Sequence, residues 1–96
     1  MVLFHDPLCL EYGSSARPEQ PARLRHTTPL LHERHPAWIW EQPNPTTTTQ
    51  AALAHHATHL DRLEQPGDFD ADTPGFDDIA QHAYRAAGCA VAATEA

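Results

Sequence analysis

The stretch that decides the fold is residues 76–96, Phe-Asp-Asp-Ile-Ala-Gln-His-Ala-Tyr-Arg-Ala-Ala-Gly-Cys-Ala-Val-Ala-Ala-Thr-Glu-Ala. It is rich in strong helix formers and holds no proline. Ile79, Ala83, Ala86, Ala87, Ala90, Val91 and Thr94 recur at steps of three and four, which predicts one helix with a narrow stripe of small side chains. Gly88 and Cys89 are equally small, so the helix can lie close against a sheet. No Gly, Asn or Pro stops the pattern before Ala96, and this leads to the expectation that the chain is cut within the helix.

Working outward, two short apolar runs read as strands. Val2-Leu3-Phe4 ends at the turn signal His5-Asp6-Pro7, and Trp38-Ile39-Trp40 lies between Pro36 and Pro43. Between them, a Gly, Ser and Pro-rich loop over residues 8–20 leads to a helix expected to start at Pro21, where a missing N–H costs nothing. Leu24, Leu30 and Leu31 give that helix an apolar side. Pro29 inside it removes a hydrogen bond and is expected to kink or split it. Beyond the second strand, a Thr residue caps a short helix over residues 50–55, Leu60 and Leu63 anchor another, and residues 65–75 form an acidic loop with Pro66-Gly67 and Pro74-Gly75 as turns. Short strands alternating with helices read as an α/β chain.

Composition says that this architecture is thinly filled. The chain has 96 residues, enough for one domain. Of its apolar residues, 16 are Ala, and Leu, Ile, Val and Phe together number only 16. Alanine methyls bury little area, so marginal stability in isolation is expected, with more protein needed to complete the packing. The formal charge of −7 does not attract phosphate backbones, so no nucleic-acid partner is expected. Acidic residues concentrate between Asp61 and Asp78, which suits a cationic ligand or a solvated loop equally. Cys9 and Cys89 fit no zinc or redox spacing and are expected as buried reduced thiols. There is no apolar run of membrane-spanning length and no basic-then-apolar leader, so a cytoplasmic protein is expected.

Three segments, taken in order, resemble the start of the zinc-dependent histone deacetylase and acetylpolyamine amidohydrolase family. Pro18-Glu19-Gln20-Pro21-Ala22-Arg23-Leu24 is similar to a family pattern His-Pro-Glu-(Arg or Ser)-Pro-x-Arg-Leu. Residues 53–63, with His55, Leu60 and Leu63, resemble Leu-x-x-Val-His-x-x-x-Tyr-(Ile or Leu)-x-x-Leu. Asp70-Ala71-Asp72-Thr73-Pro74 followed by Ala86-Ala87-Gly88 resembles Asp-x-Asp-Thr, a short loop, and a helix carrying Ala-Ala-Gly. The chain departs from the family at Glu11, Arg17, Gln20, Pro29 and His59.

The resemblance implies an α/β chain that is the N-terminal piece of a three-layer arginase/deacetylase fold, with two short strands of its central parallel sheet and several helices present, whose parent would use zinc to hydrolyse acetyl-lysine or acetylpolyamine amides. It implies one substrate-binding residue, Asp72, on a channel-rim loop where its carboxylate accepts hydrogen bonds from substrate. The competing reading of Asp72 is that it joins Asp70 in capping a turn. Glu19 and Arg23 are expected to orient the first loop and helix. The family's metal ligands and its paired catalytic histidines follow the helix on which residues 76–96 lie, so residues 1–96 are expected to hold no metal and to be inactive alone, with the remainder of the deacetylase domain as their partner. His55-His56 precedes the Asp-x-Asp-Thr loop and is read as structural. The other function class is a small non-catalytic structural protein or a His-mediated metal binder. The i,i+4 pair His55 and His59 and the i,i+3 pair His32 and His35 are its candidate ligands, against the need for three or four convergent donors.

Overall fold

A computed structural model describes all of residues 1–96. The chain runs β1 (Val2–Phe4), a 3-10 turn (Pro7–Glu11), α1 (Ala22–Arg25), α2 (Thr27–Arg34), β2 (Ile39–Glu41), α3 (Thr48–Ala51), α4 (Ala57–Leu63) and α5 (Ile79–Glu95). The strands pair in parallel, with Val2 opposite Ile39, Leu3 opposite Trp40 and Phe4 opposite Glu41. This is a small α/β unit with a two-stranded parallel sheet, and α1 and α2 make the crossover that a parallel pair requires.

The second strand starts and ends one residue later than its apolar run, because Glu41 takes the last pairing position and its carbonyl accepts the His5 N–H at 2.9 Å. The helix expected from Pro21 is indeed divided, but at His26 rather than at Pro29. Proline is tolerated where no intrahelical N–H bond is due, and breaking the helix at His26 puts Pro29 into the first turn of α2. The third helix is also shorter and earlier than expected. Thr47 accepts the Gln50 N–H at 3.1 Å while the Gln50 side chain accepts the Thr47 N–H at 3.0 Å, a reciprocal cap that fixes the start at Thr48.

The stripe expected to be the inner side of α5 is so only at Ile79 and Val91, which are half-buried. Ala83, Ala86, Ala87 and Ala90 are exposed, and the helix is buried at Ala80 and Gly88, one further turn on each side of the half-buried Tyr84. Close approach decides the orientation. The Thr46 N–H donates to the Tyr84 carbonyl at 2.9 Å, and the backbone of residues 44–46 passes over Gly88, where a Cβ would lie 2.3 Å from the Asn44 carbonyl oxygen. Only glycine allows that passage, and the alanines face away from it.

Asp78 precedes α5 with φ 60° and makes no side-chain cap. A non-glycine residue pays sterically for this left-handed backbone, by roughly 1 kcal/mol. Asp78→Gly should therefore be more stable than Asp78→Ala by about 1 kcal/mol, the reverse of helix propensity, as read by urea denaturation of the two variants.

The packing is thin. Five residues are buried, Leu60 and Ala80 being the apolar side chains among them, while Met1, Val2, Leu24, Leu30, Ile39 and Leu53 are exposed. The accessible surface is 6877 Å², against about 5,500 Å² for a compact chain of this mass. The radius of gyration is 14.8 Å and the extents are 43 × 33 × 15 Å, where a compact chain of this length has a radius of about 12.5 Å. The molecule is a slab. Parallel sheets occur almost only with both faces covered, yet the register partners Val2 and Ile39 are 43% and 56% exposed.

Candidate functional site

The acidic loop after α4 is held by the Asp68 side chain, by one backbone bond of its own and by Arg62. Gly75 donates its N–H to Asp68 Oδ1 at 2.7 Å, Phe69 donates to the Thr73 carbonyl at 2.9 Å, and Arg62 closes the loop from α4 by donating to the Asp68 carbonyl at 2.7 Å. The Arg62 guanidinium also lies 4.4 Å above the centre of the Phe69 ring, a cation–π contact. Gly75 is required here, since a Cβ would fall 2.7 Å from the Gly67 carbonyl oxygen.

Within this frame Asp70 and Asp72 separate into two roles. Asp70 Oδ1 accepts the Asp72 N–H at 2.8 Å, so Asp70 makes the turn. The Asp72 carboxylate accepts no hydrogen bond from the chain and stands exposed. The Asp72 N–H, with help from the Thr73 hydroxyl, holds the Asp70 carboxyl below its ordinary pKa. A lowered pKa means that this interaction contributes above the ordinary carboxylate range and is lost as pH falls through the lowered value. The Asp72 amide proton resonance should accordingly stay constant from pH 7 to pH 5, then move upfield at lower pH as the carboxylate is neutralised. A resonance insensitive to pH down to 2 would remove the turn from Asp70.

Asp72, Thr73 and Pro74 line a cleft of about 290 Å³, whose opposite wall is Tyr12, Arg17 and Glu19. The loop before α1 and the loop before α5, more than fifty residues apart in sequence, thus face one another. An adjoining cavity of about 320 Å³ shares Tyr12 and Glu19 and extends between α1 and α5, past Leu24, Ile79 and His82. The rings of Tyr12, Phe76 and His82 pack together at centroid distances of 5.2 to 5.7 Å and form the divide between the two spaces. Burial, then the Glu19 carboxylate, push the Tyr12 phenol above its ordinary pKa, so it is a hydrogen-bond donor at neutral pH. The combination offers donors, acceptors and both signs of charge, and its one thiol, Cys9 on the wall of the second cavity, has its sulfur 3.9 Å from His5 Nδ1.

The histidines are dispersed. His55 and His56 lie between α3 and α4 rather than on a helix, because His56 is itself the cap of α4: its Nδ1 accepts the Thr58 N–H at 3.2 Å. His55 and His59 have ring centroids 5.0 Å apart on the exposed surface. His32 and His35 part, with His32 stacked on Trp40 at 4.1 Å and His35 on Trp38 at 3.8 Å. No set of three or more His, Cys, Asp or Glu side chains is placed to hold a metal ion. Zinc therefore does not fit the donor set of residues 1–96, and no chemical step can be routed through it here. Cys9 and Cys89 are free and half-buried, and no helix is long and apolar enough to cross a membrane.

Sequence reasoning missed Tyr12, Arg17 and the aromatic divide. Their role depends on which loops meet, and neither spacing nor residue type in one segment reports that. No family model matches the chain, and no curated protein and no solved structure does either.

Proposed function

We propose that the chain is the N-terminal segment of a zinc-dependent deacetylase that hydrolyses acetylated amines of the acetyl-lysine or acetylpolyamine class. In this reading, residues 1–96 supply one edge of an α/β domain and part of the substrate rim, and the metal and its histidines come from residues outside this segment. The observation that carries the reading is the meeting of two family-like segments, Pro18 to Leu24 and Asp70 to Pro74, across a single cleft. Glu19 stands on one wall and Asp72 on the other, and the Asp72 carboxylate is free to accept an N–H from a bound chain.

The open surface fits the same reading. Surface beyond that of a compact chain amounts to roughly 1,400 Å², more than the ~800 Å² that each side of an ordinary protein interface covers. It includes the exposed alanines of α5 and the register pair Val2 and Ile39, the kind of positions that further strands and helices cover in a parallel α/β sheet.

The test is the gene. The reading frame beyond Ala96 should encode Gly-x-His-His and then Asp-x-His, and a frame without them ends the proposal. In the longer product, Asp72→Ala should lower kcat/KM for an acetyl-lysine peptide by roughly 10- to 100-fold, since a charge-assisted hydrogen bond is worth about 1.5 to 3 kcal/mol. An unchanged kcat/KM would take substrate binding away from Asp72 and leave the cleft as structure only.

A further inference from the structure

Three histidines meet at the corner between α3 and α4, and their rings are used differently. The His56 ring is engaged in capping α4: its Nδ1 accepts the Thr58 N–H at 3.2 Å and lies 2.8 Å from the Thr58 hydroxyl. The rings of His55 and His59 are exposed and hydrogen-bond to no other group of the chain, and their centres lie 5.0 Å apart with 31° between their planes. The backbone brings them together. The His55 N–H donates to the Ala51 carbonyl at 3.0 Å and the His59 N–H to the His56 carbonyl at 3.0 Å. One ring is thus carried by the end of α3 and the other by the first turn of α4. Arg62, the nearest arginine in the sequence, is committed to the acidic loop, where its guanidinium donates to the Asp68 carbonyl at 2.7 Å and covers the Phe69 ring.

This separation is the one that a shared metal ion imposes on two rings. An imidazole nitrogen binds a first-row divalent ion at about 2.0–2.1 Å, and two imidazoles at neighbouring positions around one ion have their centres roughly 4.5 to 5 Å apart. Two donors do not close the tetrahedron of three or four protein ligands that zinc requires. Copper(II) needs fewer. It stands at the top of the divalent affinity order, takes nitrogen and oxygen ligands in a square plane, and accepts water in its remaining positions. We propose that His55 and His59 form a two-imidazole chelating site for copper(II), with water completing the coordination. Each ring binds through one nitrogen as the neutral imidazole, and the ion keeps its oxidation state and exchanges with solution. The formal charge of −7 raises the concentration of cations near the chain. The site is independent of the deacetylase reading.

Eight histidines offer copper(II) many single-donor positions, so the informative quantity is a difference in affinity. The chain is titrated with copper(II) chloride at neutral pH against glycine as a competing chelator. The first equivalent should bind about 100-fold more tightly to the natural sequence than to His55→Gln or His59→Gln, because the second imidazole of a linked pair acts at a high effective concentration. Changing both residues together should weaken binding no further than either change alone. His56→Asn keeps a side chain that caps a helix, and it should bind copper as the natural sequence does. Circular dichroism checks that each variant keeps its helices. Pulsed electron paramagnetic resonance of the natural one-to-one complex should count two imidazoles on the ion, a readout that needs no variant. A single imidazole in that spectrum, affinities of both single variants that match the natural sequence, or an equal loss in His56→Asn would overturn the site.

Discussion

Gly88→Ala should destabilise the protein by about 2 to 3 kcal/mol, although alanine is the better helix former by about 1 kcal/mol. The two effects oppose one another, and geometry decides the sign. A Cβ at position 88 would lie 2.3 Å from the Asn44 carbonyl oxygen, 3.0 Å from Pro45 Cα and 3.1 Å from the Thr46 nitrogen. All three are backbone atoms, so no rotamer change relieves the overlap. The residue 44–46 segment must lift away, and with it goes the 2.9 Å bond from the Thr46 N–H to the Tyr84 carbonyl. Thr46 is buried at 8% exposure, so its amide would lose a partner in a place that water reaches poorly, at a further cost of about 1 kcal/mol or more. Ala87→Gly is the natural comparison, because Ala87 is exposed on the same helix. It should cost about 1 kcal/mol from propensity alone. The two variants thus exchange the same residue types at adjacent positions, and both should lose stability, with Gly88→Ala losing more. The readouts are the urea midpoint and hydrogen-exchange protection at the Thr46 amide. A midpoint at or above that of the natural sequence, with Thr46 still protected, would show that the close approach does not hold this helix.

Much of the fold was legible from local signals. The two strands followed from two apolar runs separated by helical sequence, and α5 from its composition, while the parallel direction of the strands was expected only from the family resemblance. What the sequence did not reveal was which side of α5 faces inward. Periodicity finds an apolar stripe and assumes that it is buried. On α5 the alanine stripe is exposed and the contact runs through Ala80, Tyr84 and Gly88, because a backbone segment from before α3 needs the glycine. A single glycine outweighed four alanines because close approach of backbones is all-or-none, whereas an alanine methyl contributes under 1 kcal/mol by burial. The location of the split between α1 and α2 was missed for a related reason. Proline reports that a regular helix cannot pass through it, and the chain satisfies this equally by breaking three residues earlier.

The site was less legible than the fold. Asp72 could be singled out only through resemblance, and its free carboxylate becomes visible once Asp70 is seen to make the turn. The histidine pairs show the converse. Spacing of i,i+4 or i,i+3 says that two rings share a helical face, yet the aromatic surfaces of Trp38 and Trp40 draw His35 and His32 to different partners. Side-chain convergence is a property of several elements at once, and no single segment encodes it.

Asp6→Ala should be the most damaging single substitution near the sheet, with an expected loss of about 3 kcal/mol. Asp6 is 5% exposed and its two oxygens serve different elements. Oδ1 accepts the Leu8 N–H at 3.0 Å, which caps the 3-10 turn, and Gln42 Nε2 reaches the same oxygen at 3.5 Å from the end of β2. Oδ2 faces Arg85 Nε at 3.7 Å from α5. The cap alone is worth about 1 kcal/mol. The ion pair adds less than a fully buried one, since it is long and the Arg85 side chain is 22% exposed, but removing one partner still strands a half-buried cation. Asp6→Asn should separate the two: it keeps an oxygen for Leu8, removes the charge, and should cost about 1 to 2 kcal/mol. Arg85→Met retains the aliphatic packing and removes the cation. If the pair is coupled, Asp6→Asn combined with Arg85→Met should cost at least 0.5 kcal/mol less than the sum of the single changes. The experiment is urea denaturation of all four proteins plus Asp6→Ala, with equal m-values required for comparison. The large effect follows from topology: the end of β1, the 3-10 turn, β2 and α5 share almost no apolar core, and a single carboxylate, two residues beyond β1, contacts groups from the 3-10 turn, the end of β2 and α5. Loss of less than 0.5 kcal/mol for Asp6→Ala would mean that these elements are joined by something other than the contacts at Asp6.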